Sequence, residues 1–208
     1  MVSEKQREKS MTSRQRILDN IALARHDAEH PLPKVPLFDD KAATTDLVSQ
    51  FTQAVINMGG EVAALEGQSL AELVDKKTKD AKIICSHVEE IKGNFPLTPD
   101  TQPTDLKDVD FGIVRASFAV AETGSLCLTD SNFGINTLGY LPQHLIVLVD
   151  PADILFNLHN AYQRPEWREH GYAVFHTGPS ATADIEGILI HGAQGVRSLL
   201  VILQPRQA

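Results

Sequence analysis

Two short stretches of the sequence combine acidic, hydroxyl and glycine residues in a pattern that could support chemistry. The first runs from Ala121 to Ser125 and reads AETGS. Its glycine, Gly124, permits a tight turn whose neighbouring N–H groups could face an anion. Glu122 could act there as a nucleophile, as a base or as an acceptor that orients another group. The same residues also fit a strand bend with a solvated glutamate, and both interpretations stay open from these residues alone.

The second stretch, GPSATADIEG, begins at Gly178. Gly178-Pro179 breaks the chain after an apolar run, and Ser180 or Thr182 could cap a helical turn that contains Asp184 and Glu186. A helix N-terminus offers unpaired N–H groups to a carboxylate or phosphate. The simpler alternative is that the hydroxyls only cap the helix, while the two acidic side chains complement its dipole.

Composition and missing motifs exclude several classes of function. The formal net charge of -8 disfavours broad contact with a phosphate backbone, so we expect no nucleic-acid partner. The two cysteines, Cys85 and Cys127, cannot supply the four thiolates of an iron–sulfur cluster, and both fall in apolar runs that predict buried, inert thiols. The histidine spacing predicts no metal site, and we expect no intrinsic cofactor. The chain has no Walker P-loop, Gly-x-Gly-x-x-Gly, Gly-x-Ser-x-Gly or His-Glu-x-x-His motif.

Hydrophobic runs also bear on the location of the protein. The longest aliphatic runs, LIVLV at 145–149 and LLVIL at 199–203, are too short to span a bilayer. The charged start MVSEKQREKSMTSRQ lacks the apolar core of a signal peptide. We therefore expect no membrane span and a cytoplasmic protein.

Helical patterns divide the chain into two parts. Residues 1–43 carry one helical pattern, from Ile17 to Ala28, followed by a Pro-rich linker, and we expect residues 44–208 to form one α/β domain. Within that domain an apolar stripe from Leu47 to Met58 predicts a helix that starts at Thr44 or Thr45.

Short apolar runs then alternate with helical patterns. A capping box, Ser69 to Glu72, opens one helix, and Asp150-Pro151 opens another that reaches Tyr162. This alternation favours an α/β, three-layer fold with a mixed or mostly parallel sheet, and ligands of such sheets bind at the carboxyl ends of strands, here the loops after residues 121, 149 and 177. The predicted strands are EVAAL at 61–65, KIICS at 82–86, two strands in 111–129, HLIVLVD at 144–150, YAVFHT at 172–177 and LLVIL at 199–203.

Three motifs occur in a fixed order along the chain: AETGSLCLTDSN at 121–132, LPQHL at 141–145 and GPSATADIEGILIHGAQG at 178–195. Together they resemble the lactate utilisation protein C family, whose domain is called the LUD domain. The resemblance covers the chain from about residue 44 to its end.

The resemblance implies a fold like that of the sugar-phosphate isomerase and CoA-transferase group. It also implies a role in oxidising L-lactate to pyruvate, beside partner subunits that carry iron–sulfur clusters. In the CoA-transferase relatives a similar turn carries the attacking glutamate, which makes Glu122 the candidate catalytic residue. The resemblance places the following candidate ligand-binding residues near one pocket with it: Thr123, Gly124, Ser125, Gly178, Pro179, Ser180, Thr182 and Asp184.

Several positions depart from the family pattern, including Ala193, where valine is common. Gln194 stands where the family commonly has histidine, Val196 stands where proline is common, and Ser125 stands where threonine is usual. A role that needs the imidazole therefore cannot be transferred to this chain at that position.

Three hypotheses for the function follow. The first is an accessory, non-cluster subunit of an iron–sulfur L-lactate-oxidising system that binds a small anionic metabolite. The second is a stand-alone enzyme of the CoA-transferase kind that uses Glu122, and the third is a ligand-binding regulatory or scaffold module. A homo-oligomer is compatible with all three.

Overall fold

The computed structural model describes residues 12–24, 33–38, 46–183, 189–191 and 195–206. The chain divides into two units, Met1–Val35 and Pro36–Ala208. The boundary expected after residue 43 stays a prediction, because residues 39–45 lie outside the described ranges.

The first unit contains one helix, α1 (Ser13–Leu23), among its described residues. Thr12 caps it, because its hydroxyl accepts a hydrogen bond from Gln15 N at 3.3 Å. None of its side chains is buried, and Ile17 and Ile21 are more than half exposed. The predicted continuation to Ala28 lies outside the described residues.

A five-stranded parallel sheet forms the centre of the second unit. Its strands, in spatial order, are β1 (Glu61–Ala64), β11 (Ser198–Leu203), β6 (His144–Val149), β3 (Phe111–Arg115) and β2 (Ile84–Ser86). Every neighbouring pair runs parallel. The three middle strands are continuous apolar runs, as expected for strands that are covered on both faces.

A second sheet of four strands is mixed. Its order is β7 (Ile154–Leu155), β4 (Phe118–Val120), β5 (Ser125–Thr129) and β8 (Ala173–His176). The β4–β5 and β5–β8 pairs are antiparallel, and the β4–β7 pair is parallel. A separate antiparallel pair joins β9 (Ala181–Ala183) to β10 (Leu189–His191).

Two helices cover opposite faces of the parallel sheet. Helix α2 (Leu47–Asn57) starts at Asp46, whose carboxylate accepts a hydrogen bond from Ser49 N, and it buries Phe51 and Val55. Helix α3 (Leu70–Lys77) starts with the predicted capping box of Ser69 and Glu72, and it buries Leu73 and Val74. The other helices are single turns: α4 (Asp130–Phe133), α5 (Leu158–Ala161) and α6 (Glu166–Glu169), with 3-10 turns at Pro103–Asp108, Asn136–Gly139 and Pro151–Asp153.

The core has two main layers of apolar side chains, one on each face of the parallel sheet. Along β6, Leu145 and Val147 point to the face that packs on α2 and β5, and Ile146 and Leu148 point to the face that packs on α3. This alternation follows from the two-residue period of a strand. The α/β fold with a mostly parallel sheet is therefore confirmed.

Three predicted elements are wrong in detail. Residues 111–129 form three strands, because the chain leaves one sheet and joins the other at Ala116 and Ser117, whose N–H groups donate to Leu148 O and Cys127 O respectively. The helix expected after Asp150 is replaced by a 3-10 turn and by β7, because residues 154–155 pair with β4. Residues 181–183 form a strand where a helix start was expected.

In the described ranges, no helix is both long and apolar enough to cross a membrane.

Candidate functional site

The turn of the AETGS stretch connects β4 to β5. Glu122 N donates a hydrogen bond to Phe156 O at 3.1 Å, and Gly124 N donates to Val120 O at 2.9 Å. The sequence left open whether N–H groups of this turn face an anion. Because both are engaged by backbone carbonyls, neither is free to serve as an anion donor.

The glycines of both predicted stretches pack against the end of α2. Gly124 has a φ of +68°, and a Cβ atom at this position would lie 2.6 Å from Val55 N. Gly178 has a φ of +66°, and its Cβ would lie 2.4 Å from Met58 O. Real Cβ atoms do not approach backbone this closely, so glycine is needed at both positions for helix packing.

A chain of hydroxyl groups joins the two stretches. Ser125 Oγ lies 2.7 Å from Thr123 Oγ1 and 2.6 Å from Thr177 Oγ1, which immediately precedes Gly178. The contact arises because β5 and β8 are antiparallel neighbours, with Leu126 opposite His176. The structure therefore brings the two stretches side by side.

The two stretches nevertheless line different cavities. Glu122 lines a cavity of about 250 Å³, whereas Gly178, Pro179 and Ser180 line another of about 350 Å³. The described residues thus do not form the single pocket that the resemblance implied. Thr182 lies in β9, exposed and opposite Ile190, so it is not a helix cap.

Of three further positions singled out in the sequence, two cannot be placed and one can. Asp184 and Gln194 lie outside the described residues. Val196, which stands where the family commonly has proline, is buried, and its carbonyl accepts a hydrogen bond from Ser180 N at 2.8 Å. Val196, which departs from the family pattern, thus holds the backbone of Ser180 through this hydrogen bond.

The described residues that line the cavity beside Ser180 are neutral. Burial lowers the pKa of His176, and a backbone hydrogen bond involving Gly178 opposes this shift. Tyr140 OH lies 2.5 Å from Tyr172 OH, and burial, followed by that contact, raises the pKa of Tyr140. No Lys or Arg is among the described residues that line this cavity. An anionic ligand would therefore find no counter-charge there in the described part of the chain.

A larger cleft of about 810 Å³ lies at the carboxyl ends of the parallel strands. Four strands, β1, β2, β3 and β11, end at this cleft, and α3 begins beside it. This edge is where ligands of open parallel sheets usually bind. The residues that line it are Leu65, Ser69, Leu70, Ala71, His87, Val88, Glu89, Glu90, Arg115, Gln204 and Arg206.

Arg115 is the last residue of β3 and is held by two acceptors. Its Nη2 donates to Glu90 Oε1 at 2.5 Å, and its Nη1 donates to Gln204 O at 3.1 Å. The side chains of Arg115 and Glu90 are only 15% and 19% exposed. These contacts fix the plane of the guanidinium, which has five N–H donors and therefore keeps others for a ligand.

Gln204 supplies an acceptor in the same cleft. Its Oε1 atom is buried and has no hydrogen-bond partner, while its Nε2 donates to Pro205 O at 3.3 Å. A buried acceptor without a partner is costly, so such an atom commonly marks the place of a bound donor. The wall of the cleft thus contains a guanidinium donor and, in Gln204, a buried carbonyl acceptor without a partner.

Arg206 closes the far side of the cleft, but its charge is partly neutralised. Its Nε donates to Asp153 Oδ2 at 3.1 Å and its Nη2 donates to Ser117 O at 2.9 Å. Its backbone N–H donates to Asp150 Oδ2 at 2.8 Å, and this bond, followed by that from Ala152 N, lowers the pKa of Asp150. Arg206 therefore anchors the C-terminal segment. Arg115 is also paired with a carboxylate, that of Glu90, but it ends a strand at the cleft and is the candidate for a ligand contact.

Sequence reasoning missed this cleft because it expected one mixed or mostly parallel sheet and did not separate the strands into two sheets. Residues 121 and 177 follow strands of the second sheet, and of the three loops considered, only the one after residue 149 lies at the carboxyl edge of the parallel sheet. A usable signal was present in FGIVR, where a single charged residue, Arg115, ends an apolar strand.

The cysteines are placed as predicted. Cys85 in β2 and Cys127 in β5 are both completely buried. Burial raises the pKa of the Cys85 thiol to about 11. The pKa of Cys127 rises to about 12, from burial first and the nearby Glu166 second. Within the described ranges no three His, Cys, Asp or Glu side chains are grouped as metal ligands.

Comparison with known proteins adds three findings. The profile of the LUD domain family matches residues 100–204. An uncharacterized protein of Neisseria meningitidis serogroup B is 32% identical over 126 residues, which are 59% of this chain and 53% of that protein. The chain therefore spans about half the length of this curated relative.

The third finding concerns the fold. The crystal structure of a DUF162 family protein from Deinococcus radiodurans superimposes with a TM-score of 0.59, covering 76% of this chain and 96% of that one. The two sequences are 17% identical, so this likeness supports the fold alone.

Proposed function

The chain belongs to the LUD domain family, which is associated with lactate utilisation, and on that premise we propose that it binds a 2-hydroxy acid as an accessory subunit of lactate oxidation. In this proposal the electrons pass to partner subunits that carry iron–sulfur clusters. The chain itself supplies ligand binding and carries no cluster.

The observation that carries the ligand class is the pairing of Arg115 with Gln204 in the cleft at the carboxyl ends of the strands. A 2-hydroxy acid has a carboxylate, which accepts from a guanidinium, and a hydroxyl group, which donates to a carbonyl. Arg115 offers the first contact, and the unpaired Oε1 of Gln204 offers the second. The cleft therefore suits lactate better than an acid that lacks a hydroxyl group.

The cysteines support the division of labour between subunits. A four-thiolate cluster needs four cysteines, and the sequence has two, each buried in a different sheet. Burial raises the pKa of both thiols, which disfavours the thiolate form that binds metal.

Ligand titration tests the binding half of the proposal. We expect L-lactate to bind the full chain about fivefold more tightly than propionate, which has no hydroxyl group, because one hydrogen bond to a buried acceptor contributes roughly 1 kcal/mol. Arg115→Gln should weaken L-lactate binding, and Arg115→Lys should restore it only in part, because lysine keeps the charge but loses the planar fork. Equal binding of lactate and propionate by the wild type would overturn the assignment of Gln204.

Co-purification tests the subunit half. The tagged chain would be purified anaerobically from its own host grown on L-lactate, and iron content and lactate-dependent dye reduction would be measured. We expect iron–sulfur proteins to accompany it, with dye reduction that is lost when this chain is removed. Recovery of the chain alone, without iron and without lactate activity, would contradict the proposal.

The CoA-transferase alternative depends on Glu122 and on nearby N–H donors for an oxyanion. Glu122 is exposed and lines a cavity, but the N–H groups of Glu122 and Gly124 are bonded to backbone carbonyls. A covalent adduct of Glu122 with an acyl-CoA would support this alternative. The regulatory or scaffold alternative gains instead if Glu122→Gln leaves lactate use intact while deletion of residues 1–43 abolishes it.

A further inference from the structure

The cavity beside Glu122 is lined by hydrogen-bond acceptors. Glu122 Oε2 accepts a hydrogen bond from Leu158 N at 3.1 Å, and the carboxylate has further lone pairs to offer. Gln50, on α2, also lines this cavity, and its Oε1 atom is buried and has no hydrogen-bond partner. Glu122 and Gln50 thus both line a space of about 250 Å³, and the buried Oε1 of Gln50 lies in its wall without a hydrogen-bond partner.

Three of the other described residues that line this cavity carry aromatic rings. The cavity is lined by Phe38, Phe156 and His159, and the rings of Phe38 and His159 lie 5.1 Å apart between centroids. The face of an aromatic ring carries partial negative charge and attracts cations. In the described part of the chain this cavity has no Lys or Arg in its wall.

The segment that carries Phe38 is held in place at the rim. Asn157 Nδ2 donates a hydrogen bond to Leu37 O at 2.6 Å, and Asn157 itself is 3% exposed. Phe38 has a φ of +53°, a conformation that non-glycine residues rarely adopt, and its side chain is 60% exposed. Backbone in such a conformation persists only where the surroundings impose it, and it is common at ligand-binding positions.

We propose that this cavity binds an alkylammonium group, presented as the side chain of a lysine on a partner protein. A carboxylate, an unpaired carbonyl oxygen and aromatic faces together recognise a group that is positive and donates hydrogen bonds. An ammonium group has three N–H donors, so it can serve Glu122 and Gln50 at once while its methylene chain contacts Phe38.

The size and openness of the cavity favour a side chain over a whole metabolite. Pockets for drug-sized ligands have volumes of roughly 300–1,000 Å³. The cavity is smaller, at about 250 Å³, and both Glu122 and Phe38 at its mouth are exposed. This site is separate from the cleft that contains Arg115, so it does not depend on the proposed lactate ligand.

The binding experiment uses the full chain labelled with ¹⁵N and follows amide resonances by NMR. The first probe is Nα-acetyl-lysine methylamide, whose side-chain ammonium group is free. The matched neutral compound is Nα-acetyl-norleucine methylamide, which lacks only that ammonium group. We expect the lysine compound to shift the Leu158 amide and the Asn157 side-chain amide, with a Kd on the order of 1 mM, and the norleucine compound to shift neither. Equal shifts with both compounds, or none with either, would overturn the proposal.

Two variants make the test specific to this cavity. Glu122→Gln removes the charge but keeps an acceptor for Leu158 N, so we expect it to fold and to raise the Kd of the lysine compound about fivefold or more. Glu169→Gln removes another exposed carboxylate outside the cavity and should leave the Kd unchanged. Thermal unfolding of each variant checks that the fold is intact. Unchanged binding by folded Glu122→Gln would refute the assignment.

The source of the ammonium group is decided by a third probe, n-butylammonium. Weaker binding of n-butylammonium than of the lysine compound supports a protein side chain, because the capped backbone then contributes contacts at the mouth of the cavity. Stronger binding of n-butylammonium would refute the lysine side chain and assign the site to a free amine.

Discussion

Replacement of Gly124 by alanine tests whether the AETGS turn is built for packing against α2. An alanine Cβ at residue 124 would lie 2.6 Å from Val55 N and 2.8 Å from Ala54 C, and the backbone φ is +68°. Both obstacles are backbone atoms of a helix, so neither can move aside as the end of a flexible side chain could. The variant should therefore be destabilised by two separate effects.

The magnitudes of the two effects can be set against a matched control. A non-glycine residue in the left-handed region costs about 1–2 kcal/mol, and overpacking of a close contact adds about 1–3 kcal/mol, so Gly124→Ala should lose about 2–5 kcal/mol of unfolding free energy. Gly67 has a φ of +90°, and a Cβ atom at this position would meet no other atom within 4 Å. Gly67→Ala should therefore lose only the unfolding free energy that the left-handed backbone conformation costs.

The assay is equilibrium unfolding in urea, followed by circular dichroism, for the wild type and both variants. The urea midpoint should be lower for Gly124→Ala than for Gly67→Ala. The unfolding free energies of the two variants should differ by about 1–3 kcal/mol. If the two variants lose the same stability, the close approach of α2 to this turn is not what requires glycine at residue 124.

Other outcomes follow from burial and capping. The thiols of Cys85 and Cys127 should resist alkylation in the folded protein at pH 8 and react only when the chain unfolds in urea, which mass spectrometry can count. Because burial raises the pKa of these thiols to about 11 and about 12, the folded state keeps protons that the unfolded state loses, and stability should decline as the pH rises above about 9 in a urea series. Asp110 accepts hydrogen bonds from Ile83 N and Lys82 N, which lower its pKa, so it stabilises the fold above its unfolded pKa and this contribution is lost on acidification. Asp110→Asn should therefore reduce the loss of stability between neutral pH and pH 3, measured as thermal midpoints. Ser69→Ala should cost about 1 kcal/mol in urea unfolding, because it removes the cap of α3.

Strands of the parallel sheet could be predicted because each is a short run of apolar residues bounded by breaks. The run HLIVLV is buried on both faces, and no helix of useful length fits between its flanking Pro142 and Pro151. The start of α3 could also be predicted from the sequence, because Ser69 and Glu72 form a capping box whose two hydrogen bonds are local in sequence.

Elements that depend on distant partners could not be predicted in the same way. Ile154 and Leu155 have helical spacing with later apolar residues, but they pair with Ala119 and Val120 in the second sheet. The change of sheet between residues 115 and 118 leaves no local signal, because apolar strand residues continue on both sides of it. Tertiary pairing overrode local preference at both places.

The candidate site shows the same limit. The motifs of residues 121–125 and 178–180 were found from the sequence, and the hydroxyl contact between Ser125 and Thr177 brings them together. Their described residues line different cavities, because neighbouring residues on a sheet can face different ways, and the assignment of both motifs to one ligand site stays a prediction. The cleft with Arg115 and Gln204 needs the order of the strands, since these two residues are 89 positions apart.

Growth on L-lactate tests the central claim most directly. A strain that lacks this chain would be supplied with the wild type, with Arg115→Gln or with Arg115→Lys, and growth rates on L-lactate and on glucose would be compared. We expect that the wild type restores growth on lactate, that folded Arg115→Gln does not, that Arg115→Lys restores it in part, and that growth on glucose is the same for all. Full growth on lactate without the chain, or with Arg115→Gln, would contradict a role for this cleft in lactate oxidation.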